Sequence, residues 1–178
     1  MKGPWFAGWA LDYHSRYVGR NQIRSAVGTL VYIYKYQGEH HLADDLVDRW
    51  VAFLAQHPDL PQPQAVIPIP PSTIRTFDPV SHLAQLLASS LDIPAMINSL
   101  GKTRTTQPQK GLNSFVAKQR NVSGTFHFNG DVTGLHLLLI DDLYDSGATL
   151  CEAARTLTKG NPASIIVLTL TKTIQSNI

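Results

Sequence analysis

The chain has 178 residues, 43% of them apolar and 16% charged, which suits one globular domain with a proper buried core. Its longest apolar runs fall far short of the ~18 residues that a membrane span needs. A net charge of +2 is too small to name a nucleic-acid partner by its sum, and the single cysteine, Cys151, excludes an internal disulfide.

Residues 1 to 30 mix aromatics, glycine and polar residues without a clean period, and predict no element. This segment is expected to pack on the core or to form a junction to a further domain, with the domain proper over residues 31 to 178. "MKGPWFAGWALDYH" lacks the apolar centre and small-residue cleavage site of an export signal, so the cytoplasm is the expected compartment. "LADDLVDRWVAFLAQ", 42 to 56, places Leu42, Leu46, Trp50 and Phe53 or Leu54 at helical spacing opposite Asp44, Asp45, Asp48 and Arg49, and predicts an amphipathic helix. His40 and His41 lie one turn before Asp44 and Asp45, a spacing that could hold a metal but suits surface capping better. After a proline-punctuated connection, "AVIPIP" predicts a short buried strand stopped by Pro70 and Pro71. A helix is expected from near Pro79, with Leu83, Leu86, Leu87 and Leu91 on one side.

"AMINSL" predicts a weaker strand, "TFHF" a further one, and "NGDVTG" a turn. Between Ile93 and Gly130 there is no Asp or Glu, yet Lys102, Arg104, Lys110, Lys118 and Arg120 all fall there, which is the chain's main charge asymmetry. "LHLLLI" and "SIIVLTL" predict buried strands separated by a helix over 147 to 159. Strands alternating with helices give an α/β fold with a mainly parallel sheet. Trp5, Trp9 and Trp50 are expected in the core or an interface, His82, His127 and His136 at core or edge positions, and Cys151 as a small apolar residue of the last helix.

The chemistry concentrates in "LLLIDDLYDSGATL", 137 to 150. Ligands of a parallel sheet sit beyond the carboxyl ends of its strands, which is where Asp141 and Asp142 are expected. The glycine turn that follows would aim the N–H groups of residues 146 to 149, with the Ser146 and Thr149 hydroxyls, at one small volume that suits a phosphate. The two carboxylates suit sugar hydroxyls or a divalent cation, so the pattern describes a sugar phosphate. An apolar strand ending in acids also suits a P-loop NTPase, and "GKT" at 101 to 103 is half of its partner motif. Met96 stands where that motif needs glycine. A structural turn with Asp145 or Ser146 as N-cap is the plain alternative.

The same stretch resembles the phosphoribosyl-pyrophosphate (PRPP) signature of type I phosphoribosyltransferases. "YKYQGE", "AVIPIP", "RTF" and "KTRTTQPQKGLNSFVAKQRNVSGTF", in that order, resemble segments of the ComF-like, competence-associated branch, with Arg104, Thr106, Gln107, Arg120, Asn121 and Phe126 as its most specific pattern. The resemblance implies the type I phosphoribosyltransferase fold with a mobile hood formed by the basic segment. It implies PRPP binding along Asp141, Asp142, Leu143, Tyr144, Asp145, Ser146, Gly147, Ala148 and Thr149. Asp141 and Asp142 would face the ribose and a Mg²⁺ ion, and Asp145 to Thr149 would wrap the 5′-phosphate. Pro70, Pro71 and Arg75 would form the pyrophosphate loop, and Arg104 or Arg75 would meet the pyrophosphate. Three departures stand out: the zinc ribbon common in relatives is missing, Thr76 and Asp78 replace the Gly and Asn of an Arg-Gly-Phe-Asn loop, and Asp145 replaces a common Thr. At Asp145 the chain resembles 6-oxopurine phosphoribosyltransferases, which implies a general base or an acceptor for a nucleobase N–H there. The implied activity is transfer of phosphoribosyl to a nitrogenous base with release of pyrophosphate. The alternative is a non-catalytic PRPP sensor or DNA-uptake accessory module. A nucleobase, single-stranded DNA, a DNA-processing protein and a second copy in a homodimer are the expected partners.

Overall fold

The computed structural model describes residues 1–19, 21–73, 76–104 and 114–174, with the side chain of Phe115 left aside. The central sheet has four strands: β1 (Ala7–Tyr13), β4 (Ala65–Pro68), β7 (His136–Tyr144) and β8 (Ser164–Lys172), ordered β1-β8-β7-β4 and parallel throughout. Two antiparallel pairs lie outside it, β2 (Ser15–Val18) with β3 (Asn21–Arg24), and β5 (Leu100–Lys102) with β6 (Phe126–Phe128). The helices are α1 (Ala26–Tyr36), α2 (Ala43–Ala55), α3 (Pro79–Ser90), α4 (Phe115–Val122) and α5 (Ala148–Thr158).

The apolar runs of β7 and β8 follow from burial on both faces, which leaves no polar alternation to see. Strand period then divides their side chains between two cores. Leu138, Ile140, Ile166 and Leu168 join α1, α2 and α3 around Trp50 and Tyr34, whereas Leu137, Leu139, Ile165 and Val167 pack with Leu150, Ala153, Ala154 and Leu157 of α5. The second core also takes Leu100 and Phe126, so the β5–β6 pair is fastened to the sheet through apolar contact on the α5 side. Helix starts are chemically marked: Ser25 accepts from the Gly28 N–H at 2.9 Å, and Asp78 caps α3 with Pro79 in its first turn.

Most expected elements are present, with four differences. The N-terminal segment, for which no element was predicted, forms three strands: β1 is an edge of the main sheet beside β8, and β2 and β3 pair against α1. Helix α1 was not anticipated, because Val27, Val31, Tyr32, Ile33 and Tyr34 are residues that favour strands. "AMINSL" is split: Ala95 makes one bridge to Val66, a turn over 97–99 interrupts it, and Leu100 begins β5. Finally, β7 does not stop at Ile140; it runs on through both aspartates to Tyr144.

Leu138 is fully buried at the centre of β7. Leu138→Ala should therefore cost about 3 kcal/mol through lost transfer and the cavity left behind, read as a lower midpoint in urea unfolding. A loss below about 1 kcal/mol would contradict this placement of the core.

Candidate functional site

Because β7 remains a strand through Asp141 and Asp142, adjacent residues turn to opposite faces. Asp142 continues the row of Leu138 and Ile140 towards α1, where it is 6% exposed and ion-paired with Lys35. Asp141 continues the row of Leu137 and Leu139 and lines a small cavity with Tyr144, Asp145, Ser146, Gly147 and Thr149. The pair anticipated as one ribose-facing set thus borders two different spaces. Their carboxylates still feel each other. Burial, and then the charge of Asp142, push the Asp141 carboxyl well above the usual carboxylate range, with Lys35 offsetting part of the rise. Asp141 also accepts from the Asp142 N–H at 2.9 Å, and the Thr171 hydroxyl of β8 donates to the Asp142 carbonyl at 3.1 Å.

The turn after β7 has the form of an anion cradle. Gly147 sits at φ +79°, a left-handed conformation, and a Cβ there would approach the Tyr144 hydroxyl to 2.5 Å. Only glycine satisfies both constraints. It starts α5 without a side-chain cap from its own position, so the first turn of that helix faces the cavity with its dipole. Ser146 lines the cavity, and its hydroxyl accepts from the Ala148 N–H at 3.4 Å.

Asp145 is partly exposed but engaged. Its carboxylate is ion-paired with Lys118 of α4 and accepts from the Thr173 hydroxyl at 3.0 Å. Glu152 of α5 accepts from the Gly124 N–H at 2.7 Å, so both ends of the turn and its helix hold α4 and the residues after it.

Across the edge, Pro70 and Pro71 follow β4, and the Ile69 N–H donates to the Ile140 carbonyl at 2.9 Å. Arg75 lies outside the described residues, as do Thr106 and Gln107 of the basic segment. Asp78, the position where asparagine was expected, accepts from the Val80 and Ser81 N–H groups at 3.2 and 3.4 Å. Its identity follows from capping α3. Arg104 donates to the Asn121 and Ser123 carbonyls at 3.1 and 3.4 Å, at the end of α4. The cation that does face the edge is Lys102 of β5. It donates to the Ser72 hydroxyl at 3.4 Å, and burial pushes its ammonium down while Asp141 offsets part of that effect. The sequence named Lys102 as part of the basic run without giving it a site role, and it did not mark Lys35.

His40 stacks on Phe77 with ring centroids 4.0 Å apart, and His82 meets the Tyr34 hydroxyl at 2.8 Å. Among the described residues, no group of three or more His, Cys, Asp and Glu side chains is placed to hold a metal. No helix among them is long and apolar enough to cross a membrane.

Residues 42–177 match the family model described as phosphoribosyl transferase domain. The chain is similar to the "DNA utilization protein YhgH" of Salmonella typhi, 29% identical over 65% of this chain and 52% of that protein. It is similar to the "Competence protein ComFC" of Bacillus subtilis, 33% identical over 59% and 43%, respectively. The chain therefore spans about half the length of these curated relatives. Adenine phosphoribosyltransferase from Saccharomyces cerevisiae, solved with adenine, superposes with a TM-score of 0.46 at 13% identity, covering 78% of this chain and 72% of that one.

Removing one partner of a buried ion pair leaves the other charged and unpaired. Lys35→Met should cost about 3 kcal/mol in chemical unfolding, and Lys35→Met/Asp142→Leu should recover most of that loss. Additive losses in the double variant would show that the two side chains do not depend on each other.

Proposed function

The chain belongs to the phosphoribosyltransferase domain family, and from that premise we propose that its carboxyl edge binds PRPP and supports transfer of the phosphoribosyl group to a ring nitrogen. The observation that carries this reading is the cradle itself. The Asp141 carboxylate, a left-handed glycine and a helix N-terminus converge on one cavity, and Lys102 of β5 lies close enough to Asp141 for their charges to interact.

In the proposed arrangement the turn from Asp145 to Thr149 takes the 5′-phosphate on backbone N–H groups, and Asp141 takes ribose hydroxyls as an acceptor. Lys102 and the loop from Pro70 to Thr73 lie on the side where pyrophosphate departs. In the transfer, the lone pair of the ring nitrogen forms the bond to the anomeric carbon. The C–O bond to pyrophosphate breaks with its electrons on the leaving oxygen, and the ring proton passes to solvent. Lys102 offsets charge on the departing group, and the β5–β6 and α4 segment shields the activated sugar from water.

The donor set suits Mg²⁺ in one specific sense. Asp142 is already held by Lys35, so the chain offers Asp141 as the available carboxylate, and a Mg²⁺ ion bound through one or two carboxylates ordinarily completes its shell with substrate oxygens and water. When bound, the ion would neutralise charge on the diphosphate.

Asp145 is better described as a positioning residue than as a ready base. Its carboxylate is already engaged by Lys118 of α4 and by the Thr173 hydroxyl. This observation also favours a second reading, in which the pocket is retained for sensing PRPP without turnover. The names of the relatives, a DNA utilization protein and a competence protein, agree with that use.

Titration calorimetry with PRPP and Mg²⁺ tests the central reading. Asp141→Asn should weaken PRPP binding about tenfold or more, the scale of one charge-assisted hydrogen bond. Absence of PRPP binding in the unaltered chain, or full affinity in the variant, would overturn it.

A screen of nucleobases for pyrophosphate release separates transferase from sensor. If a base is turned over, Lys118→Ala should raise KM for PRPP with a smaller change in kcat, because α4 loses its hold on the turn. A loss of kcat alone would instead make Asp145 and Lys118 part of the chemistry.

A further inference from the structure

A second, much larger cavity opens on the other side of β7. It has a volume of about 850 Å³ and lies between the β2–β3 hairpin, the last turns of α1 and the end of β7. That size falls in the range of small-molecule sites, roughly 300 to 1,000 Å³. Asp142 and Leu143 form its floor, and Leu143 also borders the cradle, so the two spaces meet at one residue. Every other lining residue except Thr173 precedes the segment that matches the family, 42–177. The N-terminal hairpin and α1 thus build a wall that the matched domain does not itself supply.

The chemistry of that wall is specific. Arg24 of β3 lies over the Tyr32 ring at 4.0 Å, and Tyr32 and Tyr36 stand 5.3 Å apart on successive turns of α1. Lys35 lies between them in sequence, its ammonium 5.7 Å from the Tyr36 ring. Gln22 adds a side chain that both donates and accepts. Two cations therefore face the cavity against one carboxylate, Asp142, which Lys35 already neutralises. The Arg24 guanidinium is left with an aromatic face as its neighbour among the contacts described. Aromatic faces suit a planar ring, and an unneutralised guanidinium suits a carboxylate on that ring.

Resting on the reading that the adjoining edge binds PRPP, we propose that this cavity is the acceptor pocket and that it selects an anionic heteroaromatic ring, one bearing a carboxylate, over a neutral nucleobase. Tyr32 and Tyr36 offer the stacking surface, Arg24 takes the carboxylate, and the floor at Asp142 and Leu143 brings the ring to the sugar. The pocket's placement also accounts for Lys35, which keeps Asp142 from repelling such a ligand.

Matched pairs of rings that differ chiefly in one carboxylate test this directly: orotate against uracil, and nicotinate against nicotinamide. Calorimetry on the full chain, with and without saturating PRPP and Mg²⁺, should show the anionic member of at least one pair binding tenfold or more tightly than the neutral one. Arg24→Gln should abolish that preference, and Arg24→Lys should keep part of it, with far-UV circular dichroism and the thermal midpoint confirming that both variants are folded. Equal or tighter binding of the neutral rings overturns the proposal. So does failure of every ring to bind, or a preference that survives Arg24→Gln. If PRPP does not bind but the anionic preference is present and depends on Arg24, the selective pocket stands and the transferase reading falls. If PRPP binds and no ring does, the reverse holds.

Discussion

The buried ion pair between Lys35 and Asp142 is the interaction on which the carboxyl edge depends. Two adjacent aspartates at the end of an apolar strand would repel each other and resist burial. Lys35 removes that conflict for Asp142 and allows β7 to remain a strand to Tyr144. Strand period then places Asp141 on the α5 side, next to the turn that starts that helix. Were β7 to end at Ile140, both acids would lie in a loop and neither cavity would have a fixed floor. One lysine on α1 therefore sets the geometry of residues more than 100 positions later in the chain.

The cores explain why this edge can be positioned accurately. Each face of the sheet has its own apolar layer, and β5 and β6 are joined to the α5 layer through Leu100 and Phe126. Lys102, one strand-length from Leu100, inherits its position from that contact. Lys118 ties α4 to Asp145 from the same side. Of the described cations in the basic segment, Lys102 lies near Asp141 and Lys118 pairs with Asp145, whereas Arg104 is held at the end of α4.

The parallel sheet, the helices on its faces and the glycine turn into α5 were legible because each leaves a local signal: unbroken apolar runs, helical spacing, and glycine among small hydroxyl residues. What was hidden depended on distant partners. The 107-residue separation between Lys35 and Asp142, and the 27 between Lys118 and Asp145, leave no spacing to read. Arg104 looked like a ligand-facing cation, yet two carbonyls at the end of α4 hold it. β1 was hidden for a different reason: it lies at the edge of the sheet and only Gly8 in it is fully covered, so Trp9, Leu11 and Asp12 show neither a buried run nor a clean alternation. Helix α1 was hidden because tertiary packing of Val27, Val31 and Tyr34 overrides their strand preference.

The division of labour along the chain follows from these contacts. The segment from 42 to 177 matches the family and carries β4, β7, β8 and the turn after β7. The first 36 residues add an edge strand, a hairpin and α1, and they contribute most of the wall of the larger cavity. Such a wall can vary while the turn after β7 stays intact. Lys35 limits that freedom. It serves the wall and, through Asp142, the strand that holds the cradle, so a change at this position alters both spaces together.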